Sequence, residues 1–235
     1  MKYRAIPRTC YPHSKIEEDC YDWWERHAQK VQQAQEKEYD IIFVGDSITH
    51  FWHSAEEQQR DQAHEVVWQE FYGKRNVLNL GYGFDRPQNV LWRLENGEFG
   101  TQKPKLVVLN IGTNCFSITP RYDGDTPEIA FEGVKTVVEK IFELAPETHL
   151  LLMEIFPRLP LEIQKKIDQL NALLREFSAG DERITLVSIN DKLADNGVLR
   201  PELYGDKCCH PNADGYRIWG NAIEPCIKEI LAPRN

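Results

Sequence analysis

Three side chains with complementary acid–base chemistry stand far apart in the sequence. Ser47 comes three residues after the short apolar run 39–44, and His210 lies near the other end of the chain with Asp206 four residues before it. A serine hydroxyl is a weak nucleophile, a histidine is a base of near-neutral pKa, and a carboxylate can orient the imidazole and stabilise its cation. Acyl transfer requires these three groups together. Each alone has a simpler interpretation, since such a serine is more often a helix N-cap and a loop histidine is more often solvated.

Two further segments could supply hydrogen-bond donors to the same chemistry. Asn114 comes three residues after the apolar run at 105–111, and the glycine-containing segment 79–85 begins at the end of the run 76–80. An asparagine amide beside backbone N–H groups can hold a developing oxyanion, and losing one such donor typically lowers the rate about 100- to 1000-fold. In isolation, Asn114 would be interpreted as a turn former.

Short apolar runs that alternate with stretches of helical period predict an α/β fold with a parallel sheet. The predicted strands are 39–44, 76–80, 105–111, 149–155 and 183–189. Their continuous Val, Ile, Leu and Phe content indicates that helices cover both faces of the sheet. Ser47, Asn114 and His210 all follow predicted strands, at the edge where ligands bind in open parallel sheets.

The helical pattern places six candidate helices between and around these strands. They are 16–37, 48–72 (expected to be broken), 87–96, 126–144, 161–178 and 213–231. The helix at 126–144 has a clear start signal, with Thr126 as N-cap and Pro127 at the first helical position. The first helix carries a one-sided apolar stripe, which predicts that it packs on the sheet or across its edge. That stripe comprises Ile16, Cys20, Trp23, Trp24, His27, Val31 and Ala34.

The composition is that of an acidic globular protein. The chain has 235 residues, of which 41% are hydrophobic, and a formal charge of −9. That balance argues against nucleic acid as a partner, because phosphate binding requires clustered cations. We find no linker that would divide the chain, so a single domain over 1–235 is expected, with an N-terminal helical extension over about 1–38.

Location and cofactors are also constrained by the sequence. No apolar run approaches the roughly 18 residues that span a bilayer, so no integral membrane association is expected. No apolar segment follows the N-terminal charges, which predicts a cytoplasmic protein, or a secreted one if a leader has been removed. The six cysteines are too sparse for a disulfide framework. Cys208, Cys209 and His210 are adjacent in the sequence, and adjacent side chains rarely bind the same metal ion. We therefore expect no metal site, and we expect no other cofactor.

Four segments in order resemble the sequence blocks of the SGNH (GDSL) hydrolases. They are Gly45-Asp46-Ser47-Ile48, Gly81-Tyr82-Gly83-Phe84-Asp85, Gly112-Thr113-Asn114 and His210-Pro211. The segment 89–98 is more narrowly similar to the catalytic subunits of platelet-activating-factor acetylhydrolase and their bacterial relatives. The resemblance, over roughly 39–231, implies a three-layer α/β/α sandwich of flavodoxin-like topology, with five parallel strands in the order 2-1-3-4-5. It also implies ester hydrolysis without a metal.

The resemblance implies a role for each matching residue. Ser47 would be the nucleophile and His210 the base, and the oxyanion donors would be Asn114 with the N–H groups of Ser47 and Phe84. The family usually has glycine where this chain has Phe84, and a backbone N–H survives that change only if the local conformation tolerates a Cβ.

The family's acid lies three residues before the histidine, where this chain has Lys207. If the loop absorbs one extra residue as a bulge, Asp206 can still orient His210, and this is the interpretation we favour. If it does not, Lys207 stands beside the imidazole and opposes the charge that catalysis must create.

The sequence therefore predicts a serine esterase that removes a short acyl group, expected to be acetyl, from an alcohol, a sugar or a lipid. Two alternatives stay open: a non-catalytic glycan- or lipid-binding module with a degenerate triad, and an acyltransferase. The expected partner is a small-molecule ester, and a homodimer stays open. Crowding by Phe84, Tyr82 and Phe116 beside the oxyanion position predicts the preference for acetyl, and the loops 115–125 and 156–160 are expected to shape the pocket.

Overall fold

Five parallel strands form the centre of the molecule in the computed structural model, which describes residues 5–53 and 62–232. The strands are β1 (Ile41–Gly45), β2 (Val77–Gly81), β3 (Leu106–Asn110), β4 (His149–Met153) and β5 (Ile184–Val187). Their order is β2-β1-β3-β4-β5, and Ile41 of β1 pairs with Val77 on one side and with Leu106 on the other. The predicted order 2-1-3-4-5 is confirmed. The order reverses beside β1, so a crevice opens at the carboxyl ends of β1 and β3.

Helices cover both faces of this sheet. They are α1 (Trp23–Glu36), α2 (Ser47–Trp52), α3 (Gln62–Tyr72), α4 (Pro87–Arg93), α5 (Pro127–Leu144), α6 (Leu161–Ser178), α7 (Asn190–Leu193) and α8 (Ala213–Leu231). Helices α1, α4, α5 and α6 pack on one face, and α2, α3, α7 and α8 pack on the other. The three-layer α/β/α architecture is therefore as predicted, and both faces of the central strands are buried.

The first predicted helix begins seven residues later than expected. Asp22 accepts hydrogen bonds from the N–H groups of Trp24 and Glu25 and so caps α1, which starts at Trp23. Ile16 and Cys20 of the predicted stripe lie outside the helix. Residues 11–22 contain no regular element, and the carbonyl oxygens of His13 and Ser14 accept hydrogen bonds from the Asn89 amide. The prediction of a helix over 16–37 was wrong in its first third.

Three other segments differ in detail from the sequence-based expectation. The helix expected over 48–72 is interrupted, as predicted, between α2 and α3, and the segment 54–61 lies outside the described residues. The helix expected over 87–96 ends at Arg93 and continues as a wider turn through Glu98, where Gly97 has a φ of 100°. The loop 112–125 contains a short 3₁₀ turn and a small antiparallel hairpin whose two strands have two residues each. Within the described ranges no helix is long and apolar enough to cross a membrane.

Candidate active site

Ser47 is the first residue of α2, where the chain leaves β1 at the reversal of strand order. The turn needs a residue without a side chain, because a Cβ on Gly45 would lie 2.5 Å from the carbonyl oxygen of Asn110. Gly81 is restricted in the same way, since its Cβ would lie 2.2 Å from the His50 nitrogen. These close approaches bring the ends of β1 and β2 against the start of α2. Because Ser47 opens a helix, its N–H has no acceptor within that helix.

Asp46 shapes this turn as the N-cap of α2. Its Oδ1 accepts the N–H of Ile48 at 3.0 Å, and the side chain is completely buried. Burial raises the pKa of Asp46 to about 7. This hydrogen bond fixes the backbone that carries the Ser47 side chain.

His210 contacts both other members of the predicted triad. Its Nε2 lies 2.8 Å from Ser47 Oγ, and its Nδ1 lies 2.6 Å from Asp206 Oδ2. Asp206 Oδ1 accepts three backbone N–H groups, those of Cys208, Cys209 and His210, at 2.8 to 3.1 Å. Partial burial alone would raise the pKa of Asp206, but these hydrogen bonds and the one with His210 hold it well below its usual range. The carboxylate is thus fixed on both oxygens and stays ionised.

The loop between Asp206 and His210 contains one left-handed residue. Lys207 has a φ of 60° and an exposed side chain, and its N–H lies 3.4 Å from the carbonyl oxygen of Tyr204. This conformation tightens the turn so that three intervening residues still leave Asp206 beside the imidazole. This geometry is that of a loop with one extra residue, in which the Asp206 side chain, and not that of Lys207, lies beside the His210 ring.

Asn114 and Phe84 lie on the other side of Ser47 and line the same pocket. The Asn114 side-chain amide donates to the carbonyl oxygen of Asp85 at 3.1 Å, which fixes its orientation and leaves its second N–H available. Phe84 has a φ of 61°, a left-handed conformation that is uncommon for a residue with a Cβ. Its N–H takes part in no backbone hydrogen bond within the described part of the chain. The donors named from the sequence are therefore arranged around one pocket.

A buried ionic cluster supports this donor loop from behind. Arg93 contacts Asp85 at 2.7 Å and also pairs with Glu98, which contacts His27 at 3.0 Å and accepts the Tyr82 hydroxyl. Burial raises the pKa of Asp85 to about 6, against the lowering effect of the Arg93 charge. A buried charge is stable only when it is paired and hydrogen-bonded. The cluster therefore holds Asp85, and with it Phe84 and Asn114, in one arrangement.

The pocket has a volume of about 320 Å³. Its lining comprises Asp19, Ser47, Phe51, Phe84, Asn114, Ser117, Arg158, Asp206, Cys208, Cys209 and His210. Ser117 and Arg158 come from the two loops that were expected to shape it. Tyr82 and Phe116 are not among the lining residues, because both rings are buried in the interior, so the expectation that they crowd the pocket was wrong.

Asp19 and Phe51 are lining residues that sequence reasoning missed, and Arg158 lies in an expected loop but was not singled out. Asp19 and Phe51 carry no motif, and only folding places the N-terminal segment against Gly83, where Asp19 Oδ2 occupies the space of a Cβ. Arg158 could have been found, since it follows the predicted strand 149–155 and therefore lies at the carboxyl edge of the sheet.

The strand order and the position of the pocket are those of the SGNH hydrolase fold class. The chain belongs to the GDSL-like lipase/acylhydrolase family, whose sequence model matches residues 43–218. It is accordingly an ester hydrolase.

Known proteins agree with this assignment. The chain is 33% identical over 214 residues to the human platelet-activating factor acetylhydrolase IB subunit alpha1, covering 89% of this chain and 84% of the relative. It is 30% identical to the bovine alpha2 subunit over 88% of this chain and 81% of the relative. A solved GDSL-like lipase from Bacteroides thetaiotaomicron has the same fold, with a TM-score of 0.68 at 20% identity, over 88% of this chain and 98% of that one.

Proposed function

We propose that this protein is a serine esterase that removes a short acyl group, acetyl in the first place, from an alcohol, a sugar or a lipid. The observation that carries the proposal is the continuous hydrogen-bonded line from Ser47 Oγ through the His210 ring to Asp206, at 2.8 and 2.6 Å, within a pocket that also presents Asn114. A serine with a purely structural role does not require these two hydrogen bonds, whereas a nucleophilic serine needs a base and the base needs an orienting anion.

The proposed reaction begins with attack of Ser47 Oγ on the ester carbonyl carbon while His210 Nε2 takes the hydroxyl proton. Asp206 accepts the Nδ1–H of His210 and stabilises the imidazolium that forms. The tetrahedral oxyanion is held by the N–H groups of Ser47 and Phe84 and by the Asn114 amide.

The second half of the reaction releases the products. Collapse of the intermediate breaks the ester C–O bond, and the leaving alcohol takes its proton from His210. Water then attacks the acyl-serine, giving one proton to His210 and returning the acid and free Ser47. Each step uses a group that lies in the pocket.

Two observations support a small acyl group. The pocket volume is at the lower end of the range for ligand sites, and the rings of Phe51 and Phe84 form part of its wall. Relatives about one-third identical to this chain carry the name acetylhydrolase. A long acyl chain would have to displace these rings or leave the pocket.

The test is a series of p-nitrophenyl esters with acetyl, butyryl and octanoyl chains. We expect kcat/KM to fall along the series, and Ser47→Ala to lose at least about 1000-fold in kcat on the acetate. Its melting temperature should stay within a few degrees of the wild type, because the hydroxyl contributes little to the core.

Ser178→Ala is the matched control, since the Ser178 hydroxyl donates to the carbonyl oxygen of Arg175 at the end of α6, away from the pocket. It should retain activity. Turnover by folded Ser47→Ala would refute the serine mechanism, and preference for octanoyl would refute the short-acyl assignment.

A further inference from the structure

Arg158 is a pocket cation whose hydrogen-bond acceptors in the described chain are all uncharged. Its Nη1 lies 3.2 Å from Thr113 Oγ1, 3.3 Å from the Thr113 carbonyl oxygen and 3.4 Å from Ser117 Oγ. Its Nε is buried and has no hydrogen-bond partner among the described residues. These three bonds are long for a guanidinium, so they position the group without neutralising it.

Two other arginines of this molecule are arranged differently. Arg93 is paired with two buried carboxylates, and Arg8 is paired with Asp123 and Asp125. The Arg158 charge partly offsets the rise that burial causes in the pKa of Asp46, but no carboxylate among the described residues forms an ion pair with Arg158 to offset its own desolvation. Arg158 therefore has the electrostatic character of a group that is completed by a ligand.

The position of Arg158 determines which ligand can complete it. It lines the pocket that contains Ser47, His210 and Asn114, so an anion bound there belongs to the molecule whose ester is being attacked. The two carboxylates of the pocket wall are arranged separately: Asp206 is held by His210 and three N–H groups, and Asp19 lies against Gly83 and accepts the Cys20 N–H at 2.7 Å.

We propose that Arg158 binds an anionic group, a carboxylate or a phosphate, carried by the substrate itself, so that the preferred substrate is a short-chain ester bearing a negative charge. This inference rests on the proposed esterase activity and adds the charge class of its substrate. The anion can be carried on the acyl portion or on the alcohol portion, and the planar guanidinium can donate to either oxyanion in bidentate fashion.

The test uses two pairs of esters that differ only in charge. Monobenzyl succinate is compared with its carboxamide, benzyl succinamate, for an anion on the acyl side. The ester 4-acetoxybenzoate is compared with 4-acetoxybenzamide for an anion on the alcohol side. We expect wild-type kcat/KM to favour the carboxylate by about 10- to 100-fold in one pair, and that pair identifies the side. The difference should lie mainly in KM, because a remote anion is held equally in ground and transition states.

Variants assign that preference to Arg158. Arg158→Met should reduce the ratio of carboxylate to neutral ester to about one, and Arg158→Lys should keep part of the preference. Arg183→Met is the matched control, since Arg183 pairs with Asp181 at the far end of β5, and it should leave the ratio unchanged.

Three results would overturn the inference. The first is a wild-type enzyme that favours the carboxylate in neither pair of esters. This result needs no variant, so it would be decisive even if Arg158→Met failed to fold. A preference that persists in folded Arg158→Met or is lost in Arg183→Met would also overturn the inference. Cleavage of none of the four esters would overturn the esterase proposal along with the inference, whereas cleavage of the neutral esters without a charge preference would overturn the inference alone.

Discussion

At the scale of single residues, the distance between His210 Nδ1 and Asp206 Oδ2 has the most direct consequence. At 2.6 Å the carboxylate can fix the histidine tautomer that leaves Nε2 free to accept the Ser47 proton. An amide of the same shape removes the charge and can donate to Nδ1, which favours the wrong tautomer.

Replacing this acid by its amide is therefore expected to be severe. Asp206→Asn should lower kcat for p-nitrophenyl acetate by about 100- to 10,000-fold with KM within about threefold. Asp214→Asn, which removes an exposed carboxylate paired with Arg217, is the control and should have no such effect. A loss below about tenfold in Asp206→Asn would show that another group orients His210.

Single residues also show where sequence reasoning stops. Ser47, Asn114 and His210 were identifiable because each follows a strand, and the carboxyl ends of parallel strands share one edge. The partner of His210 was ambiguous, because one left-handed residue decides whether Asp206 or Lys207 faces the ring. Asp19 was not identifiable, since no pattern indicates which loop lies against Gly83.

At the scale of elements, the N-cap of α2 makes the stability of the protein depend on pH. An exposed aspartate ionises near pH 4, whereas burial raises the pKa of Asp46 to about 7 in the folded chain. Between these values the unfolded chain binds fewer protons than the folded chain, so the free energy of unfolding falls as pH rises from about 4 to about 7 and then levels off.

Asp46→Asn should remove this contribution while keeping the acceptor for the Ile48 N–H. Urea midpoints between pH 4 and pH 8 should show a smaller loss of stability than in the wild type, by up to about 4 kcal/mol. Asp181→Asn is the control: hydrogen bonds with Arg183 lower the pKa of Asp181 to about 2, so its effect lies below pH 4. Equal slopes in Asp46→Asn and the wild type would contradict the account.

The loop that carries Asp206 allows a second test at this scale. At a φ of 60°, Lys207→Gly should be more stable than Lys207→Ala by about 1 kcal/mol, because glycine adopts this conformation without a steric cost. In the interior of α5 the order should reverse, with Lys135→Ala more stable than Lys135→Gly. Denaturant melts of the four variants decide the point, and a more stable Lys207→Ala would mean that the bulge is not left-handed.

The sequence predicted the positions of elements well where buried apolar residues determine them, and poorly where helix-capping hydrogen bonds determine the boundary. All five strands were found to within two residues, because each is a buried apolar run. The start of α1 was missed, because the apolar stripe continues upstream of Asp22 while the capping hydrogen bonds end the helix there. Periodicity reports which residues are apolar, and only backbone hydrogen bonding fixes where a helix begins.

At the scale of the whole molecule, we propose that the chain forms one cooperative domain that includes its N-terminal extension. Trp23 of α1 is 3% exposed and donates its Nε1–H to Asp85 at 2.9 Å, and Arg26 donates to the Gly81 carbonyl oxygen at the same distance. These contacts join α1 to the segment that carries Phe84, so the extension supports the pocket.

Adjacent tryptophans provide a matched test of this unit. Trp23→Ala should lower the free energy of unfolding by about 3–5 kcal/mol, whereas Trp24→Ala, at a side chain 48% exposed, should lower it by about 1 kcal/mol or less. Urea unfolding of both variants should remain a single transition. Equal losses, or a separate early transition in the wild type, would show that α1 is independent of the sheet.

The central claim is that Ser47 is an activated nucleophile, and labelling by a fluorophosphonate measures this directly. The reagent bonds to a serine oxygen only when a base can take its proton, so a pocket alone does not react. Intact mass should show one adduct per wild-type chain, peptide mapping should place it on Ser47, and Ser47→Ala should take up none. An unlabelled, folded wild type, or an adduct that persists in Ser47→Ala, would contradict the account.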